Sequence, residues 1–200
     1  INILNRPQVV DAHGTQQDNS WYSPQMKTLT FGDGGVNDAQ DADVIMHEYG
    51  HAIQDDQVSG FGETNEGGAM GEGFGDFWAS VVRSDHGFHD LACAIWDATS
   101  YSQAEPPALR RLDSKKHYPE DLANEVHDDG RIWGGALWDL RRALGAGVTD
   151  RLVHGSHFYL KPGAPWFRDG YAAILVADRN LNGGRNASTI TAVFHKRGIA

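Results

Sequence analysis

The spacing of apolar residues predicts a mostly helical second half of the chain. Between Ile132 and Leu144, apolar side chains recur every three or four residues, which is the period of one helix face. Further helices are predicted over 149–160, 168–181 and 187–197. This succession indicates a rear part of the protein that is built from packed helices.

The first forty residues have a different pattern, with many Gly, Asn, Asp and Gln residues. Met26–Phe31 alternates between apolar and polar residues as a strand does, and 31–35 contains three glycines that predict a turn. Asp41 or Asp43 is expected to begin a helix, because Asp is favoured at helix N-termini. Early strands followed by late helices predict an α+β fold with a β-rich front lobe.

The middle of the chain is less regular. A glycine-rich loop is expected over 59–68, followed by a helix over 69–84 and a third candidate helix over 90–100. The proline-bearing segment 105–124 is expected to be irregular.

Composition removes several classes of function. The formal net charge of −10 argues against a nucleic-acid-binding surface. No stretch approaches the roughly 18 apolar residues that a membrane-spanning helix needs. Cys93 is the only cysteine, which excludes an intrachain disulfide, and its apolar neighbours predict a buried thiol.

The segment 47–51, His-Glu-Tyr-Gly-His, has the spacing of a zinc site. His47 and His51 lie four residues apart and therefore share one helix face, where both imidazoles reach one metal ion. Glu48 follows the first histidine and is the candidate general base. An exposed polar helix is the alternative interpretation of these five residues.

A catalytic zinc usually takes three protein ligands and keeps one position for water. Glu66, Glu72 and Asp76 are the candidates for the third ligand. On a helix, Glu72 and Asp76 face the same neighbour, so Glu72 could bind zinc while Asp76 accepts the outer N–H of a metal-bound histidine. Glycines surround both residues and oppose helix formation, which is understandable if another backbone packs closely there.

The sequence HEYGH followed by GGAMGEGFGDFWAS resembles the fungalysin family of secreted zinc endopeptidases, and is more distantly similar to thermolysin. The resemblance implies zinc as the cofactor, with His47, His51 and Glu72 as its ligands. It also implies Glu48 as the general base and Asp76 as the partner of a ligating histidine.

Two further segments resemble the parts of this family that bind substrate. Asn19, in Asn-Ser-Trp-Tyr at 19–22, matches the edge strand that holds the peptide, although Asn is also a common turn residue. The segment Leu-Arg-Arg-Leu-Asp at 109–113 matches the one whose arginine contacts the substrate carbonyl beside the cleaved bond. Arg110 is the better match, and Arg111 stays open.

The segment Glu-Val-His-Asp-Asp-Gly-Arg-Ile-Trp at 125–133 is strongly fungalysin-like, and the resemblance makes His127 the residue that stabilises the oxyanion. The carboxylate that orients this histidine in thermolysin has no match, because Leu122 stands there; Asp121 or Glu125 could replace it. The tyrosine that supplies a second oxyanion donor in thermolysin-like enzymes is also missing from this chain.

Calcium is a second cofactor that the sequence leaves open, since relatives often bind it. Asp33, Asp38, Asp41 and Asp43 cluster before the predicted metal helix, but Arg83 lies near the place where another carboxylate would be needed. A solvated acidic loop is the alternative.

Together these features predict a two-lobed zincin fold with the active-site cleft between the lobes. Residues 1–200 would form one catalytic unit, with 1–54 as the β-rich lobe that includes the metal helix and 55–200 as the helical lobe. The expected function is a secreted zinc metalloendopeptidase that acts on protein or peptide substrates. The alternatives are an exopeptidase on the same site and a non-catalytic peptide-binding protein on a degenerate peptidase scaffold.

Overall fold

A computed structural model describes residues 6–58, 60–88, 91–163 and 165–200. They form two compact units, one of which contains the chain up to Asp56 together with 75–112, and the other 57–74 together with 113–200. The predicted division after residue 54 does not anticipate that 75–112 belongs with the first unit. The mixed α+β class of the fold is confirmed.

The first unit contains a three-stranded sheet and the first long helix. Its strands are β1 (Val9–Thr15), β2 (Trp21–Ser23) and β3 (Thr28–Gly32), with β3 in the centre. β3 pairs in parallel with β1 and antiparallel with β2. The helix α1 (Ala42–Gln57) contributes to the core, which consists of Tyr22, Leu29, Phe31, Val44, Ala52 and Ala94. The strand predicted over 26–31 is confirmed as β3.

The predicted helix start is also confirmed. The Asp41 carboxylate accepts a hydrogen bond of 2.8 Å from the backbone N–H of Asp43. It thereby satisfies one of the N–H groups that a helix leaves without a partner in its first turn, and α1 begins at Ala42.

The third candidate helix, over 90–100, is wrong. The chain there forms the short strand β4 (Ala92–Cys93), which pairs with β5 (Arg110–Arg111), and then a 3-10 turn over 97–100. Two backbone N–H groups of this segment bind carboxylates at the start of α1, with Ala94 donating to Asp43 and Asp97 to Asp41. These long-range bonds replace those of a helix.

The second unit is helical. It contains the first half of α2 (Asn65–Asp85), followed by α3 (Val126–Leu144), α4 (Ala146–His157), α5 (Phe167–Asn182) and α6 (Ala187–Lys196). Trp133 stacks on Phe167 and touches Phe194, with ring centroids 5.8 and 5.4 Å away. No helix in the described part of the chain is long and apolar enough to cross a membrane.

Candidate metal centre

His47 and His51 converge on one point beside α1. Their Nε2 atoms lie 3.1 Å apart, and the two rings meet edge to face. Two nitrogens bound tetrahedrally to zinc at about 2.05 Å would be roughly 3.3 Å apart. The pair therefore has the spacing of two ligands of one zinc ion.

Asp76 and Arg110 fix the orientation of His47. The Nδ1 atom of His47 lies 2.9 Å from Asp76 Oδ1, and Arg110 donates to both carboxylate oxygens of Asp76 at 2.7 and 2.8 Å. Burial opposes ionisation of Asp76, but the charge and hydrogen bonds of Arg110, aided by His47, hold the pKa of this carboxyl well below its usual range. An ionised Asp76 accepts a hydrogen bond from the Nδ1–H group of His47, and this tautomer leaves the lone pair of Nε2 for a metal.

Gly75 makes room for this arrangement. A Cβ atom at residue 75 would lie 2.6 Å from Nδ1 of His47 and 2.8 Å from Cε1, which is closer than such atoms approach. The imidazole therefore lies against bare helix backbone. Gly73 has a separate role, because a Cβ there would lie 2.4 Å from the carbonyl oxygen of Gly130 in α3. Gly75 therefore admits a side chain, and Gly73 admits a neighbouring helix.

Glu72 precedes Asp76 by one turn of the same continuous helix. One carboxylate oxygen of Glu72 and one nitrogen each of His47 and His51 all lie within 4.8 Å of one another. Two imidazoles and one carboxylate form a common donor set of catalytic zinc, and the residues present fit that ion.

Glu66, the other glutamate considered for this role, has structural partners. Its Oε1 accepts from the Tyr118 hydroxyl at 3.1 Å, and its Oε2 accepts from the backbone N–H of Phe167 at 2.8 Å. These bonds connect the start of α2 to the rest of the second unit. The geometry therefore favours Glu72 over Glu66 as the third ligand.

Glu48 lies on α1 directly after His47, and only 7% of its surface is exposed. A carboxylate in this position is largely withdrawn from bulk water.

His127 stands in the first turn of α3, where its side chain is 55% exposed. Its Nδ1 lies 2.6 Å from Oε1 of Glu125, the residue that caps this helix. Asp121, the alternative orienting carboxylate, instead accepts from the backbone N–H of His117. Nε2 of His127 lies 3.6 Å from Oε2 of Glu72. The geometry favours Glu125 as the orienting partner of this imidazole.

The two predicted substrate-binding residues have different surroundings. Asn19 is exposed and precedes β2, an edge strand of the three-stranded sheet among the described residues. A Cβ on Gly32 would lie 2.7 Å from the carbonyl oxygen of Asn19, so β3 passes close to this backbone. Arg110 is mostly buried and binds Asp76. A substrate contact of either residue stays a prediction.

The acidic residues near α1 also differ from one another. Asp33 binds His13 and Asn37, Asp41 caps α1, and Asp43 accepts from Arg83 at 3.0 Å. Asp38 alone among the four joins a further acidic group, together with Asp18 and Asp97. Residue spacing along the chain carries no signal for this group, because its members come from three separate segments.

Comparison with known proteins gives a consistent result. A family model described as fungalysin metallopeptidase (M36) matches residues 15–200. The "Extracellular metalloproteinase 2" of Arthroderma gypseum is 27% identical over 190 residues, which cover 80% of this chain and 30% of that protein. The protein of the same name from Trichophyton rubrum is also 27% identical over 190 residues, with the same coverage.

A solved structure shares the fold. It is the precursor of protealysin, a metalloproteinase from Serratia proteamaculans, with a TM-score of 0.79 and 16% identity, over 92% of this chain and 66% of the other. The chain spans about 30% of the length of the curated relatives that it matches. Since the family model covers nearly all of the sequence, the chain belongs to the fungalysin metallopeptidase family.

Proposed function

We propose that this chain carries the active site of a zinc endopeptidase. The observation that carries the proposal is the convergence of His47, His51 and Glu72, with the Nδ1 atom of His47 held by an ionised Asp76. This arrangement presents two imidazole nitrogens and one carboxylate to a single ion. When bound, zinc lowers the pKa of a coordinated water and polarises the scissile carbonyl.

Glu48 is the general base. It takes a proton from the attacking water as the C–O bond forms, and passes it to the leaving amine as the C–N bond breaks. Its position next to His47 and its low exposure support this role.

His127 donates a hydrogen bond through Nε2 to the oxygen on which negative charge develops. Since Nδ1 already carries a proton for Glu125, donation from Nε2 requires the imidazolium form. The Glu125 carboxylate holds the ring in one orientation. The exposed side of the imidazole is consistent with a partner that arrives with the substrate.

Cleavage within a chain, rather than at its end, is supported by the edge strand β2. An extended peptide can pair with an exposed strand edge through its backbone, without using a free terminus. Asn19 lies just before this edge and would hold the peptide backbone. The curated relatives are named extracellular metalloproteinases, and we propose secretion for this protein as well.

The test is cleavage of an internally quenched peptide that is blocked at both ends, with zinc measured on the same preparation. We expect about one zinc per chain, loss of cleavage on chelation with 1,10-phenanthroline, and recovery on addition of zinc. Glu48→Gln should keep its zinc and lose about a hundred- to ten-thousandfold in turnover. Asp56→Asn, a charge change on the exposed face of α1, is the matched control and should leave both unchanged.

Zinc without cleavage of blocked peptides, but with release of terminal residues from free ones, would support an exopeptidase instead. Zinc with no cleavage of any peptide or of unfolded casein would support a peptide-binding protein. Full activity of Glu48→Gln would show that Glu48 is not the general base.

A further inference from the structure

Asp129 is an aspartate that lies entirely inside the second unit, with 0% of its surface exposed. It stands in the first turn of α3, two residues after the exposed His127. Its Oδ1 accepts a hydrogen bond of 2.7 Å from the backbone N–H of Ala123, and its Oδ2 accepts one of 3.1 Å from the side-chain amide of Asn65. Aspartates are almost never buried this completely unless they are paired. The two bonds of Asp129 therefore join separate segments of the second unit.

The bond to Ala123 closes a short loop around His127. The backbone N–H of Asp129 donates in turn to the carbonyl oxygen of Glu125 at 2.9 Å. Within the loop, Asn124 has a φ of +59°, a left-handed conformation that Asn adopts more readily than most residues. The other four of these residues are exposed, so Asp129 is the buried anchor of the segment. It holds the backbone that carries both His127 and its Nδ1 partner.

The bond to Asn65 connects this loop to α2. Asn65 is the first residue of α2, and Glu72 stands about two turns later on the same helix. The two helices touch closely there, since a Cβ on Gly130 would lie only 2.8 Å from Cβ of Glu72. Nε2 of His127 lies 3.6 Å from Oε2 of Glu72. The contact at Gly130 and the hydrogen bond of Asp129 together fix where the first turn of α3 lies along α2.

Glu66, the next residue of α2, provides a contrast. It is also buried, and its oxygens accept from the Tyr118 hydroxyl and from the backbone N–H of Phe167. These bonds tie the start of α2 to the segment before α3 and to the start of α5. Of the two neighbours, Asn65 is the one that is bonded to the segment carrying His127.

We propose that Asp129 is a positioning residue of the peptidase reaction, which sets the place of His127 relative to Glu72. The inference rests on the proposed function, in which His127 donates to the developing oxyanion. Asp129 acts through the backbone of the loop, whereas Glu125 orients the imidazole ring itself. A displacement of about 1 Å in a catalytic group can lower a rate about a hundredfold, so an anchor at this place affects turnover directly.

The experiment exchanges the two side chains of the bond in the zinc-loaded chain. Asn65→Asp leaves Oδ2 of Asp129 without its donor, and should lower the turnover of the blocked peptide about ten- to a hundredfold at unchanged zinc content. KM should stay within about twofold, because the loss concerns the transition state. Combining Asn65→Asp with Asp129→Asn should restore turnover to within about threefold of the parent chain, since an amide and a carboxylate face each other again. The amide oxygen introduced at position 129 still accepts from Ala123.

A double-mutant cycle separates positioning from a loss of stability. In the His127→Gln background, Asn65→Asp should lower turnover by less than about twofold, because the group that it displaces is already gone. A purely structural effect would lower turnover by the same factor in both backgrounds. Glu66→Gln is the matched control, and should lower the midpoint of thermal unfolding by roughly 2–5 °C while turnover stays within about twofold.

The imidazole NMR signal of His127, assigned by its loss in His127→Gln, gives a readout that does not depend on activity. It should shift in Asn65→Asp and return in the double exchange. A parent chain that cleaves no blocked peptide, but whose His127 signal responds in this way, would refute the proposed function and leave the positioning intact. Unchanged turnover and an unmoved signal in Asn65→Asp would overturn the inference. Equal losses in both backgrounds, equal losses in Glu66→Gln, or no recovery in the double exchange would also overturn it.

Discussion

His47 and His127 each contact a carboxylate through Nδ1, but their surroundings are opposite. Each has a carboxylate on Nδ1, Asp76 at 2.9 Å for His47 and Glu125 at 2.6 Å for His127. His47 is buried, and Arg110 binds both oxygens of its carboxylate partner. His127 is 55% exposed, and its partner is also the cap of α3.

The comparison shows that burial determines the role of a histidine–carboxylate pair. In the buried pair, Arg110 binds both oxygens of Asp76 and keeps this carboxyl ionised, so that it holds the His47 ring through Nδ1. In the exposed pair, Glu125 has no arginine among its hydrogen-bond donors in the described residues, and its carboxylate also accepts from the backbone N–H groups of His127 and Asp128. The first arrangement suits a metal ligand, and the second suits a donor to developing negative charge.

The largest effect is expected when the exposed pair of His127 and Glu125 is broken. His127→Gln should lower turnover about a hundred- to thousandfold, because it removes a charged donor to the oxyanion. Zinc content should not change, whereas His47→Gln should lose the metal. The measurements are the rate of blocked-peptide cleavage and the zinc content of each variant.

His117→Gln is the matched control, since His117 also carries a glutamate, Glu120, on Nδ1 at 2.6 Å and is similarly exposed. Its turnover should equal that of the parent chain. Loss of zinc from His127→Gln would show that the two histidines do not differ as argued.

The second largest effect is expected when the buried pair of His47 and Asp76 is broken. Asp76→Asn should weaken zinc affinity about ten- to a hundredfold, because His47 loses the partner that fixes its tautomer. It should also lower the free energy of unfolding by about 3–5 kcal/mol, because Arg110 becomes a buried charge without its carboxylate. Competition with a zinc-binding dye gives the affinity, and urea unfolding gives the stability.

A second pair of an aspartate and a buried arginine separates the effect on zinc affinity from the effect on stability. Asp139 accepts from the buried guanidinium of Arg197 at 2.7 and 3.0 Å. Asp139→Asn should therefore lower stability and leave zinc affinity unchanged. If both variants lose zinc equally, the effect of Asp76 on the metal is only a consequence of instability.

A smaller effect is expected from the partner of His127. Glu125→Gln should lower turnover about tenfold, since a neutral amide makes a weaker bond to the imidazolium and to the N-terminus of α3 than a carboxylate. Zinc affinity should not change. Glu120→Gln provides the control at the exposed His117 pair, and an equal loss of turnover in that variant would contradict the special role of Glu125.

A third histidine sharpens the comparison and has the smallest expected effect on activity at neutral pH. His157 is buried, and its Nδ1 lies 2.6 Å from the amide oxygen of Gln57, which carries no charge. Burial lowers the pKa of His157 from 6.5 to about 3, and His154 adds to this. Its contribution to stability is therefore fully present above pH 6.5 and is lost as the pH falls towards 3.

Between pH 7 and pH 5 this histidine should account for a loss of roughly 2 kcal/mol in the free energy of unfolding. His157→Gln should remove that part of the acid sensitivity, even if it lowers stability at every pH. His195→Gln, at an exposed site, should not. Urea unfolding at the two pH values measures the difference, and an unchanged slope in His157→Gln would contradict a neutral buried His157.

Much of the fold followed from local patterns. The periodicity of 132–144 predicted the centre of α3, and Asp41 or Asp43 predicted the start of α1, because both signals act within one or two turns of a helix. The helix expected over 90–100 failed, since its backbone N–H groups are bound by Asp41 and Asp43 from distant sequence. No local propensity contains that information.

The same distinction applies to the site. By itself the sequence determined that His47 and His51 share a helix face and that Glu72 and Asp76 stand one turn apart, because the helix period fixes these relations. The tertiary structure alone decided that Arg110 holds Asp76, that Glu125 rather than Asp121 meets His127, and that three distant aspartates form one group. Such contacts depend on how separate segments pack, and the spacing of residues along the chain carries no record of that packing.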